Sequence, residues 1–152
     1  MRTFELTIFI DCPRNKVYEH LSEPINMIGL RPFLTEIDVL KERRDANGVL
    51  MRPFYLVETF RFLGLLFYRH RTYSVIHLIK PKEELEFHEH GRLGIEVVFN
   101  HKLQQSNDDR TQITQTVQCV KAGRLLENYV LEQAKRTQRI LFSNLKARLE
   151  KH

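Results

Sequence analysis

Between Leu34 and Val120 apolar and polar residues alternate in short runs. Five turn signals break them: Asn47-Gly48, Leu63-Gly64-Leu65, Pro81-Lys82, Gly91 to Gly94, and Asn107-Asp108-Asp109. Side chains along a strand alternate between faces, and residues opposed across a hairpin share a face, so turn length decides which side chains lie together. Asn-Gly is a strong hairpin signal. Taken as a two-residue turn, Asn47-Gly48 sets Ile37, Val39 and Lys41 against Glu58, Leu56 and Phe54. A three-residue turn at Leu63-Gly64-Leu65 opposes Phe60 to Tyr68 and Glu58 to His70. A two-residue turn at Pro81-Lys82 opposes Ile76 to Phe87 and Leu78 to Leu85. A three-residue turn at Asn107-Asp108-Asp109 sets Val97, Phe99 and His101 against Cys119, Val117 and Gln115. These readings agree on one apolar face carrying Ile37, Val39, Phe54, Leu56, Phe60, Ile76, Leu78, Leu85, Phe87, Ile95, Val97, Phe99, Ile113 and Val117. A two-residue turn at Arg92-Leu93 would flip that face. The spacing therefore requires an odd loop or a bulge at Gly91 or Gly94, where glycine makes either cheap.

Such a face needs a cover. Arg124 to His152 reads as one long amphipathic helix after Gly123, with Leu126, Tyr129, Val130, Ala134, Leu141, Leu145 and Leu149 recurring at three- and four-residue steps. At the other end of the chain an alternating strand (Phe4, Leu6, Ile8, Ile10) runs into Pro13. Proline suits a first helical position because the N–H it lacks would have no partner there. Two short helical stretches follow, separated at Ser22-Glu23-Pro24 and ended by Gly29. The expected class is α+β: an antiparallel sheet of six to seven strands, two short helices after the first strand, and a long C-terminal helix.

In this order of elements, and in the stretch Pro13…Val17-Tyr18…Leu21…Asn26…Pro32, the chain resembles the START-like, or SRPBCC, superfamily. This is the helix-grip fold of the birch pollen allergen, polyketide cyclases and coenzyme Q-binding proteins. The resemblance implies a strongly curved sheet wrapped around the last helix, with a ligand cavity between them, and so a single START-like ligand-binding domain over residues 1–152. It also implies that the turns after the third and fifth strands and the turn into the last helix cluster at the cavity mouth. In this chain these are Leu63-Gly64-Leu65, Arg92-Leu93 and Lys121 to Arg124.

Composition excludes several alternatives. No apolar run approaches the roughly 18 residues of a membrane span. Glu5 and Asp11 interrupt any signal-peptide core. Cys12 and Cys119 offer neither metal spacing nor a disulfide framework, which favours a reduced, cytoplasmic setting. The net charge of +5 suits an anionic surface without requiring one. Lys135, Arg139 and Lys146 on the last helix are interspersed with Glu127, Glu132 and Glu150, a solvated face without the aromatic-basic interleaving of a nucleic-acid binder.

The register places Glu58, His70, Glu89, His101 and Gln115 inward. An unpaired buried charge costs several kcal/mol. The expected arrangement is thus Glu58 satisfied by His70, and His101 hydrogen-bonded to Gln115. His77, His88 and His90 fall outward with Arg69, Arg71, Glu84 and Glu86. His88-Glu89-His90 is no metal motif, since Glu89 points the other way and no third ligand is placed. The expected ligand-binding set is Phe54, Leu56, Glu58, Phe60, His70, Phe87, Phe99, His101, Gln115 and Tyr129. Leu63, Leu65, Leu66, Arg92 and Arg124 are expected at the cavity mouth, because an apolar turn tip is out of place unless it is covered or binds something. The leading reading is binding or transport of a hydrophobic small molecule, lipid, isoprenoid or polycyclic, without cofactor or metal, with a transient membrane surface as a further partner. The alternatives are a polyketide cyclase/aromatase-like or dehydratase-like enzyme using Glu58, His70 or His101 as acid or base, and a partner-binding module.

Overall fold

The computed structural model describes residues 3–62, 65–91 and 94–151, with Arg61, Phe62, Leu66, Phe67 and Arg124 described by backbone alone. Strand β1 (Thr3–Ile10) leads through Pro13 into helix α1 (Arg14–Leu21) and a 3-10 turn (Pro24–Met27). Then come β2 (Leu34–Val39), the two-residue β3 (Arg43–Arg44), β4 (Leu50–Phe62), β5 (Leu65–Lys80), β6 (Glu84–His90), β7 (Glu96–Asn107) and β8 (Arg110–Lys121). Helix α2 (Arg124–Leu149) closes the chain. The sheet is eight-stranded, antiparallel and curved, in the order β1-β8-β7-β6-β5-β4-β2 with β3 beside β4. The helix-grip arrangement is thus present, and β3 is the one strand beyond the six or seven expected.

The hairpins keep the inner face. Glu58 opposes His70 and Phe60 opposes Tyr68. Ile76 opposes Phe87. Val97, Phe99 and His101 oppose Cys119, Val117 and Gln115. The connection from β6 to β7 is the odd loop the spacing required, since Phe87 opposes Phe99 and Glu89 opposes Val97 across it.

Four turns differ from the sequence reading, two of them only near their tips: Lys80 pairs with Glu84 beyond a register shift after His77, and Asn107 pairs with Arg110 beyond one after Gln105. At Asn47-Gly48 the chain forms a wider turn: Asp45 Oδ1 accepts from the N–H groups of Asn47 (2.8 Å) and Val49 (3.0 Å). The extra residues of β3 displace the register by two, so Ile37 opposes Leu56 and Val39 opposes Phe54. An even displacement preserves the face. Leu65 is the first residue of β5 and pairs with Phe62, after a register shift between Phe60 and Arg61.

Helix α2 packs nearest β1 and β8. Its buried stripe is Leu131, Gln138, Leu141, Phe142 and Leu145, with Val130, Ala134 and Leu149 partly buried. Leu126 and Tyr129, expected in this stripe, are exposed, because the first turns of α2 run past the packed part of the sheet. Near its other end Arg148 ties α2 to the chain after α1: Nη1 donates to the Asn26 carbonyl (2.6 Å) and Nη2 to the Ile28 carbonyl (2.7 Å). Gly29 makes this approach possible. Its φ is +88°, and a Cβ there would lie 2.5 Å from Arg148 Nη2. Gly29→Ala is expected to destabilise the fold by about 2 kcal/mol, the left-handed penalty plus displacement of Arg148. Urea unfolding of the variant beside Arg148→Ala checks this: if the Arg148 contact carries part of the loss, the two losses together exceed that of the double variant.

Candidate functional site

Two spaces between the sheet and α2 share Arg31 and Glu89 in their linings, and they differ in character. Deep in the grip, Phe54, Leu56, Phe87, Phe99 and Leu141 meet so closely that only about 10 Å³ remains, bordered also by Arg31, Ser74, His101 and Gln138. That is room for about one water molecule. At the open end, where α2 begins, a groove of about 530 Å³ is lined by Phe60, Tyr68, Thr72, Ile95, Val97, Tyr129, Val130 and Gln133, with Arg31, Glu58, His70 and Glu89 among them. Arg31 and Glu89 border both spaces and so divide the interior.

Arg31 is the residue that register arithmetic could not place. It lies between the 3-10 turn and β2, flanked by two left-handed residues, Gly29 (φ 88°) and Phe33 (φ 69°). That path carries its side chain onto the sheet, where 11% of it stays exposed. Its Nη1 donates to Glu89 Oε1, and its Nη2 lies 3.6 Å from Glu58 Oε1. Burial works against the guanidinium charge, but Glu89 and Glu58 outweigh it and hold the pKa above the usual value. Burial raises the Glu58 carboxyl; Arg31 pulls it back and the neighbouring Glu89 adds to the rise. The expected pairing of Glu58 with His70 is therefore corrected. The two are opposed, yet Glu58 pairs with Arg31, and His70 stacks on Tyr68 with its Nδ1 3.4 Å from the phenol oxygen.

His101 and Gln115 do meet, at 3.0 Å between Nε2 atoms, and the Gln115 amide also donates to Gln138 Oε1 at 2.8 Å. With the amide donating, the imidazole accepts at Nε2 and carries its proton on Nδ1. His101 is 3% exposed, edge-on to Phe87 and Phe142. Burial lowers its pKa to about 4, so it is neutral at physiological pH.

Of the expected ligand-binding residues, Glu58, Phe60, His70 and Tyr129 line the groove, while Phe54, Leu56, Phe87, Phe99 and His101 border the deep space. Gln115 is fully buried and borders neither. Tyr129 is 63% exposed, a wall rather than a buried contact. Leu65 is 73% exposed. Leu63 and Arg92, and the side chains of Leu66 and Arg124, lie outside the described residues. Arg69 and Arg71 face outward, paired with Glu36 (2.6 Å) and Asp38 (3.3 Å). Among the described residues no cluster of three or more His, Cys, Asp or Glu could hold a metal ion. Among them, too, no helix is long and apolar enough to cross a membrane.

No family model matches the chain, and no curated protein is recognisably similar to it. Solved structures are similar in fold. The Zhui aromatase/cyclase from a Streptomyces species superposes with a TM-score of 0.73 at 14% identity, over 98% of this chain and 93% of that one. The protein TTHA0849 from Thermus thermophilus does so at 0.69 and 13% identity, over 97% of each chain. The Aha1 dimer structure from Colwellia psychrerythraea gives 0.59 at 15% identity, over 99% of this chain and 97% of that one. These likenesses establish the helix-grip fold shared by START-like, SRPBCC proteins.

Two outcomes follow for the buried polar groups. An imidazole held neutral in the fold, but free to protonate when unfolded, makes stability fall as pH drops below its ordinary value near 6.5. Between pH 7 and pH 5 the loss from His101 is about 2 kcal/mol, and His101→Gln should remove that part of the acid sensitivity in urea titrations at the two pH values. Glu58 and Glu89 should respond oppositely. Glu89→Gln weakens the tight partner of a buried guanidinium and costs about 2 kcal/mol. Glu58 resists ionising in the fold, so its contribution to stability declines as pH rises above the ordinary carboxylate range. Glu58→Gln should therefore be at least as stable as the parent at pH 7, with the advantage vanishing near pH 4 in the same measurement.

Proposed function

We propose that this chain binds a hydrophobic small molecule (lipid, isoprenoid-like or polycyclic) in the groove at the open end of the grip. The ligand's polar end rests on Arg31, Glu58 and Glu89. One observation carries this reading: about 530 Å³ of space is walled by Phe60, Ile95, Val97 and Val130 and bordered by the charged Arg31, Glu58 and Glu89, two of which also border the deep space. Mostly apolar walls with a few convergent polar groups, in a volume of roughly 300–1,000 Å³, are the usual makeup of a small-molecule site. The fold neighbours called aromatase/cyclases support it, because a cyclase must hold an organic substrate. The deep space is too small for such a ligand, so binding belongs to the groove.

The rim suits access from an apolar surface. Phe33, against the ring of the groove-lining Phe60, is 58% exposed, and Leu65 and Leu125, at the starts of β5 and α2, are 73% and 93% exposed. Exposed apolar side chains at the mouth of a site favour transient contact with a membrane. A second reading, an enzyme with cyclase-like proton transfer, draws on Glu58, a carboxyl beside His70 in the groove whose pKa burial raises above the ordinary carboxylate value. In that case Glu58→Gln abolishes turnover of a candidate polyketide while binding persists.

Val130→Trp places an indole in the groove from the partly buried face of α2. It is expected to weaken binding of a naphthyl probe at least about tenfold, while moving stability by no more than about 1 kcal/mol, since open space receives the ring. Fluorescence titration and urea unfolding of the same samples check both numbers. Undiminished probe binding sinks the groove assignment. Leu65→Ser with Leu125→Ser should slow probe uptake from neutral phosphatidylcholine vesicles and leave unfolding unchanged.

A further inference from the structure

The groove floor holds more negative than positive charge. Arg31 stands against two carboxylates, Glu89 through a hydrogen bond and Glu58 at 3.6 Å. Both ends of the guanidinium are thus already turned to carboxylates, and its Nε is buried, without a partner among the described residues and out of a ligand's reach. Glu58 has Arg31 as its only ion-pair partner among the described residues, at a distance too long for a hydrogen bond, so its acceptor capacity is largely unused. From β5 the groove receives His70, Thr72 and Tyr68. From β7 and α2 the described lining is Val97, Tyr129, Val130 and Gln133, with no charge. The walls present aromatic rings: Phe60 and Tyr68 lie 6.0 Å apart, Tyr68 and His70 likewise, and Tyr129 borders the groove from α2. Ring faces attract cations and not anions.

We infer that the groove selects a ligand whose apolar body carries a cationic nitrogen, an ammonium group seated against Glu58 between the aromatic walls, over the corresponding carboxylate or alcohol. This rests on the reading of the groove as a small-molecule site. An ammonium supplies the positive charge and the N–H donors that Glu58 lacks. A carboxylate there meets two like charges against one guanidinium, whose Nη1 already donates to Glu89. Binding is coupled to a proton: when Glu58 is protonated in the free protein, the ammonium displaces that proton to solvent, so the preference grows as pH rises. Of the other groups near Glu58, Arg31 and Glu89 form a mutual pair, the imidazole of His70 acts on Glu58 through its charge, and Tyr68 and Tyr129 add phenols to the groove lining.

The test uses three probes with one ring system: 1-naphthaleneethylamine, 1-naphthaleneethanol and 1-naphthaleneacetate, titrated by fluorescence into the whole chain at pH 8, where an ordinary imidazole is uncharged. The amine is expected to bind about tenfold tighter than the alcohol and the acetate weakest, with the amine-to-alcohol ratio shrinking as pH falls toward the carboxylate range. In Glu58→Gln, folded by circular dichroism, the ratio at pH 8 should collapse to about one, whereas Glu36→Gln on the outer face should leave it in place. Alcohol binding with no preference for the amine, a preference for the acetate, or an amine preference that survives Glu58→Gln overturns the charge selectivity and leaves the groove reading standing. Failure of all three probes to bind overturns both.

Discussion

A strand that slips by one residue against its neighbour turns its whole inward row outward, so a continuous apolar face exists only if every hairpin keeps even register. The irregularities in this sheet sit where they do least harm. Register shifts fall between Phe60 and Arg61, His77 and Lys80, Glu96 and Val97, and Gln105 and Asn107, all toward strand ends. The central residues Phe54, Ile76, Phe87, Phe99 and Ile113 therefore meet one another and α2, and the deep core is almost solid. The groove lies at one end, against the N-terminal half of α2, beyond that packing.

The charge of the groove floor has the same origin. Inward positions near the ends of β4 and β6 carry Glu58 and Glu89, where apolar side chains would have closed the end. Two carboxylates at the edge of a low-dielectric interior repel each other and lose hydration. Arg31 offsets this by reaching in from a loop bent by two left-handed residues. The same side chain pins the loop to the sheet and separates the dry interior from the groove.

What could be read from the sequence was what periodicity governs. The inner rows, the odd connection at Gly91 to Gly94 and the pairing of His101 with Gln115 all follow from turn length and alternation. Arg31 was beyond that reach, because it belongs to no strand and its direction depends on Gly29 and Phe33 having positive φ. A glycine shortly before an arginine was the only local signal. Glu58 was placed inward correctly, but the obvious partner across the hairpin was not the closest charge in three dimensions. The helix stripe misled at Leu126 and Tyr129 for a related reason: amphipathic spacing says which face is apolar and not how far along the helix the sheet extends.

The bond between Gln115 and Gln138 acts as a ruler. An apolar stripe repeating every three or four residues looks much the same to the sheet after a slide of one turn, so leucines alone hold a helix loosely along its axis. One turn either side of Gln138 stand Ala134 and Phe142, neither able to answer the buried amide of Gln115. A slide would strand that amide in the core, at about 1–3 kcal/mol. This contact, with the Arg148 bonds to the Asn26 and Ile28 carbonyls, fixes the axial position of α2 and so the length of helix left beyond it. An amide pair in the interior thus helps to set the size of the groove at the mouth, remote from anything that enters.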